Sequence, residues 1–170
     1  FSTPNKVLAI FKIPLPSLVN WSGLVLALDS INDPGNLGTI IRLCDWFGIT
    51  DLVCSETTVD CYNSKVVQSS MGSHSRVNIT YLDLEATLAD SKLCYGTFMG
   101  GASIYEHELP KTGVIVMGNE ANGISKEIES LITVRLSIPR FGSLKQTESL
   151  NVANAAAIIL SEFKRNITEK

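Results

Sequence analysis

Residues 32–42 read NDPGNLGTIIR, Asn32 to Arg42, shortly after the apolar run Leu24-Val25-Leu26-Ala27-Leu28. Five apolar residues without alternation suit a strand buried on both faces. The spacing predicts a helix from about Gly38 to Phe47, with Ile40, Cys44 and Phe47 on one apolar stripe and Gly48 as its terminator. Between strand and helix, Pro34, Gly35 and Gly38 keep the backbone tight and poor in Cβ atoms, as expected where chain approaches a ligand. Arg42 falls four residues after Gly38 and shares its helix face. A cation in an early helical turn opposes the macrodipole by ~0.3–1 kcal/mol, so it calls for a compensating phosphate or reacting hydroxyl. Leu52-Val53-Cys54 then makes a second strand. A βαβ unit of this kind favours parallel pairing with a right-handed crossover.

The pattern continues outward from that unit. Strands are expected at Val7–Phe11, before the breakers Pro14 and Pro16, and at 77–81, 95–99, 114–117 and 134–138. Helices are expected at 63–72, at 84–93, from a Ser125 cap to Leu131, and over the Ala-rich stretch 149–164. Strands alternating with helices argue an α/β domain, a mostly parallel sheet flanked by helices.

Bulk properties narrow the function classes. At 170 residues the chain suits one domain, and 45% apolar with 18% charged residues is an ordinary globular composition. No apolar run approaches the ~20 residues of a membrane span. The chain starts at Phe1 without a basic-then-apolar leader, so nothing marks it for secretion, and it reads as an excised piece. A net charge of −3 exerts no global pull on nucleic acid, though a local basic site remains compatible. Cys44, Cys54, Cys61 and Cys94 form no CxxC pair, and His74 and His107 lack paired ligand spacing. Reduced buried thiols in a cytoplasmic protein without a metal are the expectation.

Three loops follow the carboxyl ends of expected strands: 29–38, 118–123 and 139–151. In parallel α/β sheets ligand sites form at that edge. Known phosphate and hydrolase motifs are missing: there is no Gly-Lys-Ser/Thr, no GxGxxG and no GxSxG. That removes P-loop nucleotide enzymes, dinucleotide oxidoreductases and Ser-His-Asp hydrolases. Asp33 before Pro34 reads as a turn or cap residue. Glu120, between Gly118 and Gly123, either pairs with Arg42 or a helix terminus or belongs to a site. Capping accounts for one of Ser149 and Asn151, but not for both together with Glu148.

In order and spacing, NDPGNLGTIIR, VMGNEANGIS and IPRFGSLKQTESLNVA resemble the three signature motifs of the SpoU/TrmH family of RNA ribose methyltransferases, in the SPOUT superfamily. The resemblance runs from about Val7 to Arg165. It implies a SPOUT-type α/β fold whose C-terminal part is tied into a trefoil knot, which periodicity alone would never propose. It implies that residues 1–20 are a junction to an N-terminal RNA-binding domain and 21–170 the catalytic domain. The cofactor would be S-adenosylmethionine, held by Gly118, Ile138 and Leu150, with Asn119 and Gly101 beside them. A homodimer is implied, with the helix after the first motif and the Ala-rich last helix in its interface.

The implied reaction is methyl transfer to a ribose 2′-hydroxyl, a poor nucleophile that must be oriented and partly deprotonated. Arg42 matches the family's catalytic arginine. Because a guanidinium stays protonated, stabilising the developing alkoxide or engaging a flanking phosphate suits it better than acting as base. Asn36 would orient Arg42 or the ribose, and Glu120, Ser149 and Asn151 would complete the polar shell. The junction tilts the substrate toward ribosomal rather than transfer RNA. Asn122 and a long 140–148 loop depart from the family pattern, the latter near the cofactor edge. The competing expectation is a catalytically inactive RNA-binding protein of the same fold, against which the joint presence of the five polar residues argues.

Overall fold

The computed structural model describes residues 9–91, 93–142 and 149–165. Its strands are β1 (Leu24–Leu28), β2 (Asp51–Cys54), β3 (Asn78–Tyr81), β4 (Cys94–Ser103), β5 (Gly113–Met117) and β6 (Val134–Ser137). They form one sheet in the order β3-β2-β1-β5-β4-β6, and every pairing among them is parallel. The helices are α1 (Pro34–Trp46), α2 (Ser64–Ser70), α3 (Leu84–Leu88), α4 (Lys126–Glu129) and α5 (Val152–Lys164).

Period-two alternation explains the unbroken apolar run of β1. Leu24, Leu26 and Leu28 pack into one core with Ile40 of α1 and Ile159 of α5. Val25 and Ala27 pack into a second core with Leu88 of α3 and Ile128 of α4. With apolar layers on both faces there is no room for a polar alternate. Because the strands are parallel, β1, β5 and β6 deliver their following loops to the same sheet edge.

The decisive stretch differs from expectation in where its helix begins. Helix α1 starts at Pro34, four residues before Gly38, because Asp33 caps it by accepting from the Asn36 N–H at 2.8 Å. Pro34 is tolerated there because a first-turn N–H has no helical partner anyway. NDPG is therefore a cap and a first turn, not an extended loop. Arg42 becomes the ninth residue of a 13-residue helix, so the expected opposition to the dipole does not arise. Gly38 also serves another purpose than ligand approach. A Cβ there would lie 1.9 Å from Ser69 Oγ and 2.8 Å from the Val66 carbonyl oxygen, so the missing side chain lets α2 cross α1 closely.

Other boundaries moved for identifiable reasons. Of the strand expected at Val7–Phe11, residues 7 and 8 lie outside the described residues. Residues 9–11 are irregular, with Ile10 and Phe11 exposed, since apolar composition without a sheet partner makes no strand. Helix α3 ends at Leu88 because the chain must reach the sheet by Leu93, whose carbonyl accepts from Val114 N–H. Strand β4 runs on to Ser103 through an irregularity between Thr97 and Ala102. Helix α4 is a single turn, and Ser125 occupies its cap position without a side-chain capping bond. Residues 143–148 of the third loop, through which the implied knot would be tied, lie outside the described residues.

The close α1–α2 crossing makes a stability prediction. Gly38→Ala should lower the unfolding free energy by about 1–3 kcal/mol, the usual cost of overpacking. Urea denaturation measures it, and unchanged stability would contradict the assigned role of Gly38.

Candidate functional site

Strand β5 runs into Gly118, and the loop after it closes on itself. Asn119 N–H donates to the Gly123 carbonyl at 2.9 Å and Gly123 N–H returns to the Asn119 carbonyl at 2.8 Å. Gly123 takes the positive φ this turn requires, 71°. Gly118 has no space for a side chain, since a Cβ would lie 2.3 Å from the Gly123 carbonyl carbon. The tight loop forms one wall of a cavity of about 1180 Å³.

Gly118, Asn119, Glu120, Ile138, Ser149 and Leu150 all line that cavity. Gly101 does not; its neighbour Gly100 does. The bare α-carbon of Gly101 instead admits β6, since a Cβ there would lie 2.7 Å from the Arg135 carbonyl oxygen. The far wall was missed in the sequence. There Arg135 lies 3.6 Å from the Phe98 ring centroid and pairs with Glu129. The available signal was the alternation on β6, which sets Arg135 opposite the buried Leu136.

A smaller, polar cleft adjoins the cavity and shares Asn119, Glu120, Ala121 and Asn122 with it. Asn32, Asp33, Asn36 and Asn151 complete its lining, so all three loops meet there. Asn151 caps α5, its Oδ1 accepting from Ala153 N–H at 3.0 Å and Asn154 N–H at 3.3 Å. Its Nδ2 must then point outward, and it donates to Asn36 Oδ1 at 2.9 Å. The same logic turns Asn36 Nδ2 toward Glu120 Oε1, to which it donates at 2.6 Å. The cap thus orients every amide in the chain, leaving one hydrogen-bond polarity consistent throughout. A hydrogen bond to a carboxylate is among the stronger kinds, and this one links residues 84 positions apart in sequence. Glu120 pairs with Asn36 rather than with Arg42.

Arg42 stands apart. It is exposed and lines neither the cavity nor the cleft. Six residues beyond Asn36 on α1, it lies about 9 Å farther along the helix axis. The cysteines are not candidates for chemistry. Cys44, Cys54, Cys61 and Cys94 are free and buried, and that burial pushes their thiols up, away from the reactive thiolate. No group of three or more His, Cys, Asp or Glu able to hold a metal occurs among the described residues.

Comparison with known proteins resolves the family. Residues 23–161, a span that takes in all three loops, match the SpoU rRNA Methylase family. The chain belongs to that family. It is 33% identical over 168 residues to the 23S rRNA (guanosine(2553)-2′-O)-methyltransferase RlmP of Bacillus subtilis, covering 95% of this chain and 66% of the relative. Among solved structures, a TrmH-family protein from Porphyromonas gingivalis superposes with a TM-score of 0.81 at 44% identity, over 89% of this chain and 62% of that one. The SpoU methyltransferase AviRb from Streptomyces viridochromogenes, in complex with AdoMet, gives 0.78 at 30% identity, over 92% and 66%. The chain therefore spans about two thirds of the length of these relatives. The α/β sheet expected from the SpoU resemblance is the sheet observed.

The double duty of Asn151 yields a prediction. Asn151→Ala should destabilise the protein by about 1 kcal/mol through loss of the α5 cap. Asn151→Ser, which loses the bond to Asn36 just as Ala does but keeps a capping oxygen, should cost less. Thermal unfolding of both variants checks it; equal destabilisation would mean that capping is not what Asn151 contributes.

Proposed function

We propose that this chain is the catalytic part of an S-adenosylmethionine-dependent methyltransferase that modifies a ribose 2′-hydroxyl in ribosomal RNA in the cytoplasm. The observation that carries the reading is the Asn151–Asn36–Glu120 hydrogen-bond chain at the junction of an apolar cavity and a polar cleft. The relative from Bacillus subtilis is named for 2′-O-methylation of 23S rRNA, and AviRb is described with AdoMet, which supports it.

The cavity suits the cofactor. Its lining is rich in apolar groups, among them Met117, Ile138, Leu150 and Val152, and carries the carboxylates of Glu120 and Glu129. Arg135 and Arg140 line it too, with Arg135 paired to Glu129, so it is the apolar share of the lining that suits a nucleoside-bearing cofactor. Gly118, Ile138 and Leu150 would hold S-adenosylmethionine, with Gly100, not Gly101, at its edge. When bound, it supplies an electrophilic methyl group on sulfur.

The chain's own residues orient the acceptor. The ribose would sit in the smaller cleft, where Glu120 and the amides of Asn36 and Asn151 offer acceptors and donors. Holding the hydroxyl there removes orientational freedom before the reaction. Ser149 lines the larger cavity and adds a hydroxyl on the cofactor side. The ~9 Å offset of Arg42 from Asn36 along the helix favours contact with a flanking phosphate over contact with the reacting hydroxyl in the same chain. Residues 1–20 are read as the junction to an RNA-binding domain and 21–170 as the catalytic domain. Exposed Ile10, Phe11, Leu15 and Leu18 support the first part. A homodimer through α1 and α5 is part of the proposal, supported by Trp46 at the end of α1, 83% exposed.

Transfer of labelled methyl from S-adenosylmethionine to 23S ribosomal RNA tests the reading. No transfer together with no calorimetric binding of the cofactor would reject it. Arg42→Ala is expected to lower turnover by more than about 100-fold while cofactor affinity stays within about twofold, as for loss of an electrostatic contact outside the cofactor site. Wild-type turnover would remove Arg42 from the reaction. Light scattering at micromolar concentration is expected to give twice the chain mass, and a clean monomer would refute the dimer.

A further inference from the structure

Glu120 projects from the 118–123 loop, whose internal hydrogen bonds set its shape but not its orientation on the sheet, so its aim depends on what fixes the two ends. Both ends are held by one dipeptide at the carboxyl end of β1. Ser30 has φ 59°, one of two non-glycine residues with positive φ among the described residues. Its N–H donates to Ser55 Oγ at 2.9 Å, and its carbonyl is turned to accept from Asn119 Nδ2 at 2.7 Å. Asn119 Oδ1 accepts in turn from the N–H groups of Ala121 at 2.9 Å and Asn122 at 3.1 Å. Both ends of the Asn119 amide are thus engaged within the protein. At the far end of the loop, Asp29, only 4% exposed, accepts from Ser125 N–H at 2.7 Å and from Ser30 Oγ at 3.1 Å.

We infer that Asn119 is a positioning residue rather than a cofactor ligand: with Asp29 and Ser30 it clamps the 118–125 segment so that Glu120 meets Asn36. The left-handed backbone of Ser30 is held in part by its hydroxyl, which bonds Asp29 and Thr57. The inference rests on the reaction site proposed above, and its first test reads the Glu120–Asn36 contact without substrate.

The probe is the side-chain amide resonance of Asn36 by NMR, which a hydrogen bond to a carboxylate moves downfield. Asn119→Asp keeps the acceptor for Ala121 and Asn122 but sets an oxygen against the Ser30 carbonyl. The Asn36 signal is expected to move most of the way to its position in Glu120→Ala, while backbone resonances of α1 and α5 stay in place. An unmoved signal in Asn119→Asp, or a wild-type signal matching Glu120→Ala, overturns the inference. If Asn119→Asp does not fold, Asn119→Ala removes the donor to Ser30 and the acceptor for Ala121 and Asn122 together, and an unmoved Asn36 signal there overturns the inference too. In turnover, the Asn119→Asp/Glu120→Ala double variant should be no slower than Glu120→Ala alone. Multiplied losses, or a loss confined to S-adenosylmethionine affinity, would return Asn119 to a cofactor or independent structural role. An inactive wild-type chain would reject the function alone, because the amide signal does not depend on it.

Discussion

The side-chain amide of Asn36 is the point on which the site depends. It accepts from the cap of the last helix and donates to the carboxylate of the loop after β5, so one residue joins three loops far apart in sequence. An amide can do this because it carries a donor and an acceptor at two corners of one rigid planar group. A carboxylate in its place would oppose Glu120, and an aliphatic group would leave two polar partners unmatched. The Asn151 cap sets the polarity of the whole chain, so the stability of α5 and the geometry of the cleft share one side chain.

That arrangement needs a rigid frame, and the parallel sheet supplies it. The central pair β1 and β5, buried between two apolar layers, ends at the same edge and places Asp29 and Ser30 beside the loop that follows Gly118. Two glycines then remove bulk where chain meets chain. Gly118 lets the second loop fold back on itself, and Gly38 lets α2 cross α1. Neither glycine is explained by a phosphate, which is why a Gly-rich stretch beside a strand is weak evidence for a nucleotide.

Much of this was legible in the residues. Five of the six strands lie where apolar runs of strand length were read, and the sixth, β4, lies where expected but runs further. Among the proposed site residues, Asn36, Glu120 and Asn151 converge, and Gly118, Ile138 and Leu150 share a wall. What was misread has a common cause. The first turn of α1 looked like a loop because Pro and Gly are poor helix interiors, yet both are tolerated beyond a good cap. Residues 9–11 of the expected Val7–Phe11 strand, apolar in composition, and Ser125, a cap by type, did not find the partner those roles need.

By itself the sequence determined the class of fold, since unalternating apolar strands between amphipathic helices can be satisfied only in a layered parallel sheet. It also determined which polar residues stand at the carboxyl edge, because every strand points the same way. Only the tertiary structure decided what those residues do to one another. That Glu120 bonds Asn36 and not Arg42, that Asn119 turns inward to Ser30, and that Arg135 walls the cavity with Phe98 all depend on contacts across tens of residues. Local periodicity records which face a side chain takes, but a hydrogen bond is decided by angles and ångströms that only the assembled chain sets.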